Sequence, residues 1–536
     1  MDKPLKEFLE QYKKKVAGLE KRKHIAYFNA AVTGNPRFFE EYANLEIEHT
    51  RLLSKASDFS FLESVTKSKD ISKPILKRQA KVLHHVYKAH QLPTGLQEEI
   101  IQLETRIANK FSVFRAEAGG RRLTDNQMEE VLASSADSQR VRTVWEASKL
   151  VGALVEADVR QLVSLRNKAA NLLGYPDYHQ MSLQLSEQDP GEVNALFDHL
   201  DDLTREGFSA IKERIDHFLS AKFGLPANGL RPWHYQDRFF QEAPSGVLEL
   251  DLDPFYAGKD LVAITANYFR GIHLPVDDLL KNSDLFEKPG KNQHAFCIHI
   301  DRYGDVRVLC NLKLNRRWMN TLLHEYGHAV YEKYYAAGLP FVLREPAHIF
   351  VTEAVAMFFG RLASNPMWMH EMGIISLEKA GKLIAPSRDY LQMEQLVFSR
   401  WVQVMYRFEQ SMYARPEQDL NRLWWELVQR YQQLTPPDDI RGAHWASKIH
   451  VATAPCYYHN YLLGELLASQ FYAHIGTKVL SGKGHQAAGY SHLPEIGRFF
   501  REKVFADGAS MPWQQLIRKA AGQDLDPGFY AREFTA

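Results

Sequence analysis

The sequence predicts a mainly α fold in two lobes, and three observations carry the prediction. Apolar residues recur every three to four positions over long stretches, period-two alternation is confined to one short segment, and proline and glycine gather between residues 224 and 292. From Leu5 to about Ala118 the pattern is helical. Leu96, Ile100, Leu103, Ile107, Phe111 and Phe114 follow one face, and the run stops at Gly119-Gly120, as a helix ending in glycine does. Residues 138–173 and 189–223 behave likewise. The second of these stretches opens with Asp189 as N-cap and Pro190 at the first helical position, and carries Leu196, Leu200, Leu203, Ile211 and Ile215 along one side. These stripes are read as core.

The irregular stretch that follows includes PWHYQDRFF (Pro232 to Phe240), read as a connection between a helical lobe over 1–240 and a second lobe over 241–536, the two forming one domain. Ala295 to Leu312, AFCIHIDRYGDVRVLCNL, carries the only convincing strand signal: two alternating runs flank Tyr303-Gly304-Asp305. This predicts a hairpin over 295–312 that leads straight into a helix over 316–337. A strand beside that helix can offer unpaired backbone groups to an extended peptide.

Composition narrows the partners. With 66 Lys+Arg against 65 Asp+Glu in 536 residues, charge gives no argument for nucleic acid or an anionic membrane, and a small or peptide ligand fits better. The opening MDKPLKEFLEQYKKK is charged from the start, and no segment approaches the apolar length that spans a bilayer, so a cytoplasmic location is expected. Cys297, Cys310 and Cys456 form an odd, sparse set, as in a chain without disulfides. Cys297 and Cys310 would face each other if the hairpin were symmetric about Tyr303-Gly304, and they are read as two small half-buried residues.

The helix after the hairpin holds His324-Glu325-Tyr326-Gly327-His328. Residues four apart share one helix face, so both imidazoles can reach one Zn²⁺ while Glu325 stands beside its open coordination position. Chance alone produces such a pattern in roughly one chain of this length in twenty, and catalytic zinc normally takes three protein ligands, so a third has to be found. Gly at 331 and His at 334 would mark one class of zinc peptidase, but the chain has Tyr331 and Tyr334. Glu353 is the better candidate, because in PAHIFVTEAVAMFFGRL it interrupts an otherwise apolar helix, where an unpaired carboxylate is costly. Glu345 and His348 lie close by, outside the apolar run.

LLHEYGHAVYE followed by TEAVAMFFGRL resembles the gluzincin zinc peptidases, specifically the mostly helical angiotensin-converting enzyme and thimet oligopeptidase families. LRNKAANLLGYPDY (Leu165 to Tyr178) and SKIHVATAPCYYHNYLLGE (Ser447 to Glu465) extend the similarity over most of the chain, from about residue 140 onward. The resemblance implies that His324, His328 and Glu353 are zinc ligands and Glu325 the general base, and that His450 and Tyr461, in the segment 444–465, stabilise the oxyanion. It places Lys448 and Tyr458 against the substrate's C-terminal carboxylate. Tyr458 and Tyr461 keep the family's i, i+3 spacing, although the gap from His450 is one residue longer than in angiotensin-converting enzyme and Tyr457 sits alongside. Met357 stands where angiotensin-converting enzyme has an aspartate that orients a zinc-bound histidine, so another group has to take that role.

The expected fold is therefore a two-lobed helical metallopeptidase with a deep central cleft and its small sheet beside the zinc helix. The expected activity is zinc-dependent hydrolysis of short oligopeptides with release of C-terminal dipeptides. An oligoendopeptidase of the thimet type, indifferent to the C-terminal carboxylate, is the alternative. A zinc-containing protein that binds peptides without cutting them, and a helical scaffold with an accidental motif, are the readings from other classes.

Overall fold

Helices account for most of the chain, and β-structure among the described residues amounts to two short hairpins. The computed structural model describes residues 1–480 and 489–535. The chain forms two compact units, one of Met1–Gln91, Asp251–Ser387 and Leu463–Tyr530, the other of Leu92–Leu250, Arg388–Leu462 and Ala531–Ala536.

In the first unit, helices Asp2–Thr33, Pro36–Leu53, Ala56–Lys67 and Pro74–Ala89 pack their apolar stripes together. Leu5, Leu9, Tyr12 and Val16 meet Leu62, Val65, Leu83 and Tyr87, and the same cluster takes in Phe341, Val342, Leu343 and Ala509. Arg78 Nε donates to Ala509 O at 2.7 Å, which ties the fourth helix to a residue 431 positions away. Sequence-distant stretches thus share one core.

The hairpin beside the motif helix is present, with strands Phe296–His299 and Val306–Leu309. Its register differs from the symmetric one: Phe296 pairs with Leu309, Cys297 with Val308 and His299 with Val306, so Cys297 does not face Cys310. The turn explains the offset. Asp301 Oδ1 accepts from the backbone N–H groups of Tyr303 and Asp305, and Arg302 and Gly304 take positive φ, which closes the loop over 301–304. All three cysteines are free; Cys297 is half-buried, and Cys310 and Cys456 are buried.

The motif helix runs Arg316–Lys333, ending four residues before the predicted 337. Asn315 caps it by accepting from Trp318 N. Beyond Tyr334 the chain turns away, and Ala336 N donates to Ala506 O instead of continuing the helix.

In the second unit, Thr94–Val113, Ser138–Leu172 and Pro190–Phe223 are long helices, as is Leu377–Ala414 over its 388–414 part. Asp189 caps the last by accepting from Glu192 N, and Gly224 ends it in the left-handed region. The reading of Gly119-Gly120 as a helix stop is corrected. The helix ends at Val113, and the two glycines, at φ 58° and 72°, form the turn of a second hairpin, Ala116–Ala118 paired with Arg121–Leu123. Two consecutive positive φ values suit a two-residue hairpin turn. Pro232 to Phe240 packs into this unit's interior, where Trp233 meets Trp145, and the chain passes to the first unit at Leu250–Asp251.

Candidate active site

One close approach in the first unit sets the geometry. The motif helix lies against helix Ile349–Gly360, and a Cβ on Gly327 would stand 2.7 Å from Ala356 Cα. Only the glycine of HEYGH permits this contact. The second helix is apolar nearly all round, as a fully buried helix is. Its one charged residue, Glu353, is brought level with the two histidines.

His324 Nε2 and His328 Nε2 are 3.2 Å apart, and Glu353 Oε2 stands 3.6 Å from the first and 3.8 Å from the second. Two donors about 2.0–2.1 Å from one zinc ion, at a tetrahedral angle, are about 3.3–3.4 Å apart, so the triangle has the size of one face of such a coordination shell. Among the described residues these three form the one group of His, Cys, Asp or Glu donors that close together. Burial lowers His324 to about 4, and burial and then the neighbouring His324 push His328 well below the ordinary histidine range. Both rings are neutral at pH 7, with a lone pair available to a cation. Glu345 and His348 lie outside the triangle: Glu345 pairs with Arg302 at 2.9 Å, and His348 caps helix Ile349–Gly360 by accepting from Phe350 N.

His328 Nδ1 meets Thr352 Oγ1 at 2.7 Å. With Nε2 facing the triangle, Nδ1 carries the proton and donates to the hydroxyl, which fixes the ring's orientation. Sequence reasoning passed over Thr352, although it is the one polar neighbour of Glu353 in the apolar run.

Glu325 is buried on the motif helix between the two histidines, and the backbone N–H of Cys297 in the hairpin donates to its carboxylate. Burial first, and the charge of Glu353 second, push Glu325 up to about 8 against that hydrogen bond.

The other predicted residues stand in the second unit and form a group of their own. Gly152 leaves room for Ala443 O, which would lie 2.1 Å from a Cβ there, so the turn His444–Ser447 seats directly on helix Ser138–Leu172. Lys448 and His450 follow that turn. Lys448 Nζ donates to Gln241 Oε1 at 2.7 Å and lies 5.2–5.4 Å from the ring centres of Phe239, Trp401 and Tyr458. Burial lowers Lys448 to about 8, against the pull of Asp237. The Tyr458 ring packs edge-on against His450 at 5.1 Å and Tyr461 at 5.6 Å, and Tyr457 packs against Tyr461 at 5.2 Å. Gln241 escaped sequence reasoning because it lies in an irregular segment with no periodicity to mark it.

The family model of angiotensin-converting enzyme, Peptidase M2, matches residues 2–225 and 251–527. The chain belongs to the angiotensin-converting enzyme family. Angiotensin-converting enzyme of Mesocricetus auratus is 24% identical over 437 residues, 73% of this chain and 32% of that protein. Angiotensin-converting enzyme of Theromyzon tessulatum is 20% identical over 499 residues, 85% of this chain and 79% of its own. Thermostable carboxypeptidase 1 of Pyrococcus furiosus is 24% identical over 241 residues, covering 40% of this chain and 46% of that one. The chain spans about a third of the length of the mammalian relatives it matches. Among the described residues no helix is long and apolar enough to cross a membrane.

Proposed function

We propose that this chain is a zinc-dependent peptidase that hydrolyses short oligopeptides and releases dipeptides from their C-termini. The observation that carries the reading is the triangle of two neutral imidazole nitrogens and one carboxylate oxygen, 3.2 to 3.8 Å on a side, with Glu325 next to it. His324, His328 and Glu353 are the residues that would hold zinc. When bound there, zinc acts as a Lewis acid toward the scissile carbonyl and acidifies water.

Glu325 takes the proton of the attacking water and hands it to the leaving amine. His450 and Tyr461 donate to the oxyanion that develops on the carbonyl. Lys448, with Tyr458 and Gln241, takes the substrate's C-terminal carboxylate. Support for this last role is electrostatic: a buried ammonium held by an amide oxygen and three rings gains most from an incoming anion. The carboxypeptidase name of one relative is in keeping with attack from the C-terminal end. Oligopeptides, rather than nucleic acid or membrane, are the proposed partners, and a cytoplasmic location belongs to the same proposal, in keeping with three free cysteines.

Glu325→Gln is expected to retain about one zinc per chain and lose turnover by several orders of magnitude. Substantial activity in that variant refutes the assigned base. Mass spectrometry of products from free-acid and C-terminally amidated peptides tests the carboxylate clamp. Equal cleavage of the two forms removes the dipeptidase reading and leaves an oligoendopeptidase.

A further inference from the structure

Glu332 lies seven residues beyond Glu325 on the motif helix. That spacing returns to nearly the same face, about 10 Å farther along the axis. One strand residue touches both carboxylates: the N–H of Cys297 donates to Glu325, and Cys297 Sγ lies 3.9 Å from Glu332 Oε2.

The strand that holds Cys297 is the open edge of its hairpin. Ile300 N donates to Asp305 O, so in this register Ile298 and Phe296 also face the partner strand, and the backbone groups of Cys297 and His299 point outward. The far side of Val306–Leu309 is covered, since Asp284 N donates to Val308 O and Cys310 N to Asp284 O. Glu325 takes the Cys297 N–H and His24 meets His299 O at 2.8 Å. Among the described residues Cys297 C=O and His299 N–H have no partner and can serve an extended peptide, which advances about 3.3 Å per residue.

Among the described residues no cation pairs with Glu332. Arg302, which is near enough to be felt, is already engaged by Glu20 at 2.9 and 3.0 Å and by Glu345 at 2.9 Å. Burial, and then the charge of Glu345, push Glu332 up to about 8. A partly buried carboxylate without a counter-ion, on the face of the motif helix that carries the base, lacks the one group a substrate can bring.

We infer that Glu332 is a specificity-determining residue that selects a lysine or arginine side chain on the substrate, within two residues of the scissile bond. The assignment rests on the peptidase reading above and adds the charge of the preferred peptide to it. A basic side chain reaches about 6 Å from its backbone, enough to bring its charge from a peptide on the strand edge to a carboxylate two helical turns beyond the base.

The test is a series of peptides in which each position within two residues of the cut is in turn Lys, Arg, Nε-acetyl-lysine, norleucine or Glu, assayed with the zinc-loaded enzyme. One position is expected to favour Lys or Arg over norleucine by roughly tenfold or more in kcat/KM, with Nε-acetyl-lysine falling to the norleucine level. Glu332→Gln should bring the Lys/norleucine ratio close to one, and Glu332→Lys should favour Glu at that position. The acetylated peptide removes the charge from the substrate side, so the inference stays testable if a variant does not fold. Cleavage with no cationic preference at any position overturns it, as does a preference that survives Glu332→Gln. If no peptide in the series is cut, the peptidase reading itself fails.

Discussion

Replacing Thr352 with valine removes the hydroxyl that meets His328 Nδ1 at 2.7 Å while keeping the β-branched shape in a buried helix that already holds Val351 and Val355. The change leaves an imidazole N–H buried without its acceptor. Such a loss costs about 1–3 kcal/mol, and 1.4 kcal/mol is a factor of ten in affinity, so zinc should bind about 5- to 140-fold more weakly. Competition against a chelating dye reads the dissociation constant directly, without reliance on turnover. Thr352→Ser restores the hydroxyl and should recover most of the affinity. Because valine conserves volume, the metal-free protein should unfold within a few degrees of the parent. A valine variant that binds zinc as tightly as the parent would show that the hydroxyl plays no part, and equal weakening by serine and valine would show that packing and not the hydrogen bond matters.

Gly327→Ala should destabilise the protein: overpacking at a contact of 2.7 Å costs about 1–3 kcal/mol, against about 1 kcal/mol gained by removing a helical glycine. It should also weaken zinc binding, because separating the helices draws Glu353 away from the histidines; a thermal midpoint and zinc affinity equal to the parent's argue against this account. Glu20 governs part of the acid sensitivity. Burial pushes its carboxyl up, but His49, whose Nε2 stands 3.6 Å away, and the charge of Arg302 outweigh burial and hold it at about 2, below its ordinary 4.5. A folded value below the unfolded one stabilises the fold above about pH 4.5, by about 3 kcal/mol at most, and that stabilisation is lost as the pH falls from there toward 2. The stability difference between the parent and Glu20→Gln should therefore shrink between pH 5 and 3 in denaturation curves, and a constant difference counts against the assignment.

Helical periodicity made most of the long helices legible, and local chemistry placed some of their ends. Asp189, whose carboxylate caps the first turn, and Gly224, which lacks the Cβ that would resist positive φ, bracket their helix. Gly119-Gly120 misled because a glycine pair that suits a helix stop suits a two-residue hairpin turn equally well, and only the pairing of Ala116–Ala118 with Arg121–Leu123 separates the two. The motif helix was placed correctly at its start, where Asn315 acts locally, and too long at its end, where Ala336 bonds to Ala506. At the site, the four-residue spacing of His324 and His328 and the isolated carboxylate of Glu353 were visible in sequence. Thr352 was not, because its role depends on the rotation of one helix against another.

By itself the sequence determined the helical class, the pairing of two imidazoles on one helix face and the choice of Glu353, since each follows from spacing along a single element or from the cost of burying a charge. Only the tertiary structure decided that Gly327 lets the two helices close to a donor triangle 3.2 to 3.8 Å on a side. It alone showed that Thr352 holds His328, that Gln241 meets Lys448, and that the hairpin's open edge runs past both Glu325 and Glu332. Helical periods and caps act within a few residues, whereas these contacts join residues 24 to 207 positions apart and exist only once the chain has packed.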